Sequence, residues 1–189
     1  MEEKCIPGTV MPYADVKGSI FALFRPMIRA ADGLTLGQVS AITGLEYSTV
    51  QNWVKRGFVA HPIRKKYYDR HLARILIISV MRNCMKIEEI GELLAMVNGD
   101  ATDDSDDIIS DMKLYDDLCE VIRLTNLGAS TEEIRAAVDR VTADYVGPTD
   151  SSRRRLTLAL MVMACAYTAS RYKTEADFYF RQLKSGGVS

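Results

Sequence analysis

Histidine, cysteine and tryptophan are scarce in this chain, which holds 2 His, 4 Cys and 1 Trp among 189 residues. The cysteines, Cys5, Cys84, Cys119 and Cys165, lie far apart with no CxxC pair and no histidine at ligand spacing, so neither a zinc ribbon nor a disulfide framework is encoded. His61 and His71 are isolated, and no metal is expected. The carboxylate run of residues 98–107, NGDATDDSDD, lacks the D-x-D-x-D-G spacing of a calcium loop. Also missing are a Gly-rich phosphate loop, a Gly-x-Ser-x-Gly elbow and a His-Glu-x-x-His helix, and the carboxylates of 103–117 have no base nearby. A non-enzymatic protein with no cofactor is expected. The N-terminal MEEKCIPG has no basic run followed by an apolar stretch, which argues against a secretory signal and for a reducing cytoplasm. The longest apolar run, LTLALMVMACAYTAS at 156–170, falls short of the roughly 20 residues a membrane span needs. Between Arg153–Arg155 and Arg171 it reads as a buried helix. Strand-like alternation is nearly absent, so the expected class is all-α.

The chain does have enough apolar material for a core, at 48% of residues, and a segregated charge. Residues 34–86 carry 9 Lys and Arg against 2 acids, 95–150 carry 4 against 14, and 151–189 carry 7 against 2. The formal net charge of −1 hides this division. Local sign governs a charged partner, because screening confines a patch to about 8 Å at physiological salt. Pairing of acidic and basic segments within the fold would account for the same pattern.

The helical spacing divides the chain into three regions. Residues 1–33 form an N-terminal arm whose apolar stripe, Ile20 to Ile28, is interrupted by Pro26, which is expected to kink or divide it. Residues 34–98 hold four helices, at 36–43, about 47–56, 70–83 and about 87–97. Thr35 and Asp69 are N-cap candidates, and Gly44 and Gly57 are helix stops. Between the second and third helices, FVAHPIRKKYY at 58–68 reads as a small two-stranded excursion or an extended loop. The polar 98–107 segment is the linker candidate, with an ordered loop as the alternative. Residues 107–189 are helical again, with a stripe from Ile108 to Ile122, a Ser130/Glu133 capping box and a long helix from Ser151 or Ser152 toward Leu183.

One short helix carries chemistry. In LEYSTVQNWVKRGFV, residues 45–59, the small Ser40 just upstream, then Gly44, then Val50 and Trp53 suit two helices meeting at a steep angle around a tight turn. The other face of the second helix then presents Tyr47, Ser48, Gln51, Asn52 and Lys55. Gln and Asn can pair with adenine edges, Arg and Lys with guanine or phosphate, and Ser and Thr with phosphate oxygens.

Downstream of this helix the segments come in a known order. Gly57-Phe58-Val59, then Arg64-Lys65-Lys66-Tyr67-Tyr68, then Ile87-Glu88-Glu89-Ile90 resemble the Gly-apolar-apolar step, the basic wing and the later helix signature of the MerR-like winged helix-turn-helix family. The resemblance covers roughly 34–98; the chain as a whole looks closest to an uncharacterised bacterial branch, a domain of unknown function with a helical C-terminal part. It implies a sequence-specific DNA-binding transcriptional regulator, with Gln51, Asn52 and Lys55 on base edges. Ser48, Thr49, Arg56, Arg64, Lys65, Lys66 and Tyr67 would hold phosphates. The expected partner is double-stranded DNA, read by a homodimer formed through the helical C-terminal bundle. Two other readings stay open. One is a protein-interaction scaffold derived from the helix-turn-helix; the other is a sensor with a small-molecule effector held among Met161, Met163, Tyr167, Tyr172, Phe178, Tyr179 and Phe180.

Overall fold

The computed structural model describes residues 5–12, 18–99, 107–126 and 128–186. After a short 3-10 turn at Phe21–Leu23, the elements are α1 (Arg25–Ala30), α2 (Leu36–Thr43), α3 (Tyr47–Lys55), α4 (Asp69–Met81), α5 (Ile87–Asn98), α6 (Asp111–Leu124), α7 (Thr131–Val141) and α8 (Ser152–Lys184). Among the described residues the only β pairing is in isolated antiparallel bridges, including Leu34 with Tyr67 and Ile63 with Lys66. The all-α class stands.

α4 explains the arrangement. Ten of its thirteen residues are buried, because Leu72, Ile75, Leu76, Ile77 and Ile78 leave it no polar face. Isolated, a run rich in β-branched residues is a mediocre helix. Burial outweighs that preference, at roughly 1.5–3 kcal/mol for each large aliphatic side chain. α4 packs against α2, α5, α6 and α8, so the elements on both sides of residues 98–107 share one core.

Several caps behave as the spacing requires. Thr35 and Gln38 form a reciprocal capping box on α2, with Thr35 N–H donating to Gln38 Oε1 at 2.8 Å. Ser130 and Glu133 do the same on α7. α8 differs in detail. Ser151 makes no side-chain cap; Ser152 lies inside the helix, and its Oγ accepts from Thr149 N–H at 3.1 Å. Pro26 divides the segment and does not kink a helix: the 3-10 turn ends at Leu23, and Pro26 sits in the first turn of α1, where its missing N–H costs nothing. Asp69 is likewise the first residue of α4 and not its N-cap, a position held by Tyr68.

The N-terminal arm closes over two elements at once. Val10 N–H donates to Ile42 O of α2 at 3.0 Å. Tyr115 Oη of α6, fully buried, donates to Pro7 O at 2.7 Å, and Phe21 N–H donates to Asp116 Oδ1 at 2.8 Å. Most of the linker candidate, residues 100–106, lies outside the described residues. Its two ends meet: Ile108 N–H donates to Val97 O at 2.9 Å, and buried Asn98 donates Nδ2–H to Ile109 O at 2.6 Å.

Candidate nucleic-acid interface

The α2–α3 pair is built around a three-residue turn. Gly44 ends α2 at φ 70°, the left-handed conformation in which a Cβ is penalised, and a Cβ there would stand 2.6 Å from Val10 Cγ1. Two side chains then serve the turn's backbone. Ser40 Oγ donates to Leu45 O at 2.5 Å, while Thr43 Oγ1 donates to Val39 O and accepts from Leu45 N–H. Ser40 is thus more than a small contact residue. Val39, Leu45, Val50 and Trp53 are buried in the common core, which fixes α3 by its apolar face.

The opposite face of α3 is open. Ser48, Gln51, Asn52 and Lys55 are exposed at i, i+3, i+4 and i+7, one stripe along the helix, with Tyr47 exposed beside them and Thr49 half-buried. Glu46 precedes the helix without a side-chain cap, so the first backbone N–H groups of α3 have no side-chain acceptor from the cap position.

The excursion after α3 is a hairpin reduced to its minimum. Ile63 and Lys66 exchange both backbone hydrogen bonds, at 3.0 and 2.9 Å, around Arg64 and Lys65. Both central residues have positive φ, 49° and 66°, the pattern of a two-residue type I′ turn, which usually employs Asn and Gly. Two long cationic side chains therefore occupy a strained, exposed tip.

Three of the ten expected contact residues are engaged elsewhere. Tyr67 is buried, bridged to Leu34 through its backbone and packed edge-on against His71, and burial raises its phenol above the usual range; it is a core residue and not a phosphate contact. Lys66 directs its ammonium to Ala31 O and Gly33 O at 2.9 and 3.0 Å, where it caps the C-terminal end of α1. Arg56 pairs with Glu88 of α5 and lies 4.8 Å over the Phe58 ring. The Arg56 hydrogen bond holds the exposed Glu88 carboxyl below its ordinary range. The outward set that remains is Ser48, Thr49, Gln51, Asn52, Lys55, Arg64 and Lys65.

Two supports of this face go beyond the sequence pattern. His71 accepts Tyr68 N–H at Nδ1, 3.1 Å, so its proton sits on Nε2, which meets His61 O at 3.1 Å. The neutral ring thereby ties the extended segment before the hairpin to the start of α4, and burial holds its pKa below 6.5. Arg74 of α4 pairs with Asp111 of α6, Nη1 to Oδ1 at 3.3 Å, and donates Nε–H to Phe58 O at 3.3 Å. Arg70 approaches the other Asp111 oxygen at 3.5 Å and Asp107 at 3.9 Å. Burial pushes the Asp111 carboxyl above the usual range against the pull of both arginines. The one sequence signal is a pair of arginines four apart on a mostly apolar helix.

The remaining candidates disperse. Met161 and Met163 are core residues, whereas Tyr172, Phe178, Tyr179 and Phe180 are exposed farther along α8, so the seven do not enclose one site. Among the described residues no three His, Cys, Asp or Glu side chains group as metal ligands. No helix among them is long and apolar enough to cross a membrane.

An all-helical protein with an outward amide-rich α3 and a cationic hairpin tip is the class that these features define. Comparison with known proteins places residues 32–118, just under half of the chain, in similarity to a domain of unknown function, DUF1836. The matched segment runs from the α1–α2 turn through α6 as far as Leu118, and so contains both the α2–α3 unit and the Arg74–Asp111 pair. The uncharacterized protein YkrK of Bacillus subtilis (strain 168) is 31% identical over 91 residues, which is 46% of this chain and 39% of that protein. The chain thus spans well under half the length of this relative. No solved structure matches.

Proposed function

We propose that this protein is a sequence-specific binder of double-stranded DNA, a MerR-like winged helix-turn-helix transcriptional regulator acting as a homodimer. The observation that carries the reading is the exposed α3 stripe. Two amides with one cation form a surface suited to adenine edges and phosphate, and a solvated helix has no need of that combination. Gln51 and Asn52 are assigned to base edges with Lys55. Ser48, Thr49, Arg64 and Lys65 are assigned to phosphates. Arg56 serves the backbone contact only if it leaves Glu88, and Lys66 acts by holding the hairpin in place.

The test is selection from random duplex DNA with the purified protein, followed by titration of the enriched site at two salt concentrations. The expected result is an inverted repeat bound at least about a thousandfold tighter than random duplex. Weak binding that is erased by salt and enriches no sequence refutes it. A second reading, a protein-interaction scaffold, draws on the engagement of Arg56 and Lys66 within the fold, which leaves fewer cations for phosphate. It gains if the same outward residues retain a protein partner while duplex affinity stays no better than about micromolar, the range of non-specific binding.

A further inference from the structure

α5 and α8 leave an apolar groove of about 310 Å³ between them. Leu93, Met96 and Val97 line it from α5, at i, i+3 and i+4, and Leu158, Ala159 and Val162 line it from α8, continuing the stripe that begins at Arg155. Val97 and Ala159 are buried and form the floor, whereas Met96, at 62%, Leu158 and Val162 stand exposed along the walls. The small Ala159 side chain gives the trough its depth. Apolar surface gathered in a concavity of this size, near the lower bound of small-molecule pockets at roughly 300 Å³, marks a place where a ligand replaces water.

Polarity is confined to one end. Arg155 is the sole charged residue of the lining, and it has no acidic partner among the described residues. It stands with Arg153 and Arg154 in the first turn of α8, which holds no acid and whose N-cap, Ser151, makes no side-chain bond. Cations at the positive end of a helix dipole are unfavourable by themselves, and an anion relieves both the dipole and the guanidinium groups. The groove therefore offers a greasy channel that ends in positive charge.

From this geometry we infer that the groove binds a medium-chain alkyl carboxylate, its tail lying between α5 and α8 and its head on Arg155. One guanidinium reaches the lining, and its fork matches one carboxylate through two parallel hydrogen bonds. The length of the tail follows from the walls. Arg155 to Val162 is a rise of about 10 Å along α8. An extended chain advances ~1.2 Å per bond, so about eight to ten carbons fill the channel. A longer tail would leave its end in water, and a shorter one would leave the floor uncovered. The site is separate from the α3 and hairpin face and does not depend on the DNA reading above.

Calorimetric titration of the full chain with sodium decanoate, below its micelle concentration and without DNA, tests the proposal. One decanoate per chain is expected, with a Kd of about 100 µM or lower for a ligand of this size. Decanol, which lacks the charge, should bind at least about tenfold more weakly. Hexanoate should also lose at least about tenfold, since each buried methylene is worth up to about fourfold. Arg155→Gln should abolish the preference for decanoate over decanol and leave decanol itself unchanged. Val162→Trp should fill the channel and weaken decanoate at least about tenfold by displacing several methylenes. Leu183→Glu, at an exposed apolar residue outside the groove, should change nothing. All three positions are exposed, so the variants retain the fold, which circular dichroism checks. Absence of saturable binding overturns the proposal, as does decanol binding as tightly as decanoate, indifference to Val162→Trp, or equal sensitivity to Leu183→Glu. Affinity for decanoate that falls as the protein concentration rises also overturns it, because a second copy then covers the groove. Since no DNA is present, none of these results bears on duplex binding, and a protein that selects no duplex can still hold the ligand.

Discussion

Replacing Asp111 by alanine should cost this protein about 3–5 kcal/mol, the penalty for leaving a buried charge without its partner. The magnitude comes from where the pair sits. The Asp111 side chain is 1% exposed and that of Arg74 is 5%, and the guanidinium is held in place by a second bond to Phe58 O. With the carboxylate gone, Arg74 can neither reach water nor fold away without surrendering that bond. The exposed Lys173–Asp177 pair on α8 is the internal control: at 57% and 54% exposure it is expected to contribute less than about 1 kcal/mol. Urea denaturation of Asp111→Ala, Arg74→Met and the double variant measures the difference. Arg74→Met removes the charge and keeps much of the volume, so the double variant should recover a large part of the single-mutant destabilisation. If Asp111→Ala costs under about 1 kcal/mol, or the two single effects simply add, the clasp between α4 and α6 is not what the geometry implies.

Charge reversal at the hairpin tip, Arg64→Glu with Lys65→Glu, should weaken duplex binding and flatten its salt dependence by roughly 0.9 for each phosphate no longer neutralised; titration at several salt concentrations reads it, and an unchanged slope removes the tip from the interface. Gln51→Ala or Asn52→Ala should cost about 1–3 kcal/mol of discrimination at one base pair and little affinity for random duplex, seen by repeating the selection with each variant. Because the His71 pKa is held below 6.5 in the folded chain, the neutral ring's stabilisation is complete above that pH and is lost as pH falls from 6.5 through the folded value. The stability gap between wild type and His71→Ala in urea titrations should therefore narrow on acidification, and a gap that widens instead reverses the assignment of the Nδ1 acceptor.

How much of this is legible in the sequence depends on the range of the interaction. Helix ends set by local chemistry are readable: Thr35 with Gln38, Ser130 with Glu133, and Gly44 in its left-handed turn all act between residues a few positions apart. Tyr67 misleads because an aromatic next to three cations looks like part of a basic surface, and only the bridge to Leu34, thirty-three residues back, turns it inward. Lys66 and Arg56 look like phosphate ligands for the same reason; their acceptors, Ala31 O, Gly33 O and Glu88, come from other elements. On α8, the exposed Leu158, Val162, Cys165 and Ala169 are hidden in an apolar stretch that reads as uniformly buried; only the packing of α4 to α7 on the other side separates the two faces.

Charge segregation along the chain has two physical components. Arg70 and Arg74 belong to the basic segment and Asp107 and Asp111 to the acidic one, and their pairing draws α4 onto α6. Arg56 and Lys66 are likewise engaged by Glu88 and by backbone carbonyls. Four of the nine cations of residues 34–86 are thus engaged within the fold. On the α3 and hairpin face it leaves Lys55, Arg64 and Lys65 outward beside two amides, with Arg82 and Lys86 exposed elsewhere, and three cations carry little long-range field. A face of that kind gains little from counterion release and must draw its preference for one duplex over another from the amide contacts of α3. For this protein, the ratio of specific to random duplex binding is the quantity that bears on function, and binding to bulk DNA is not.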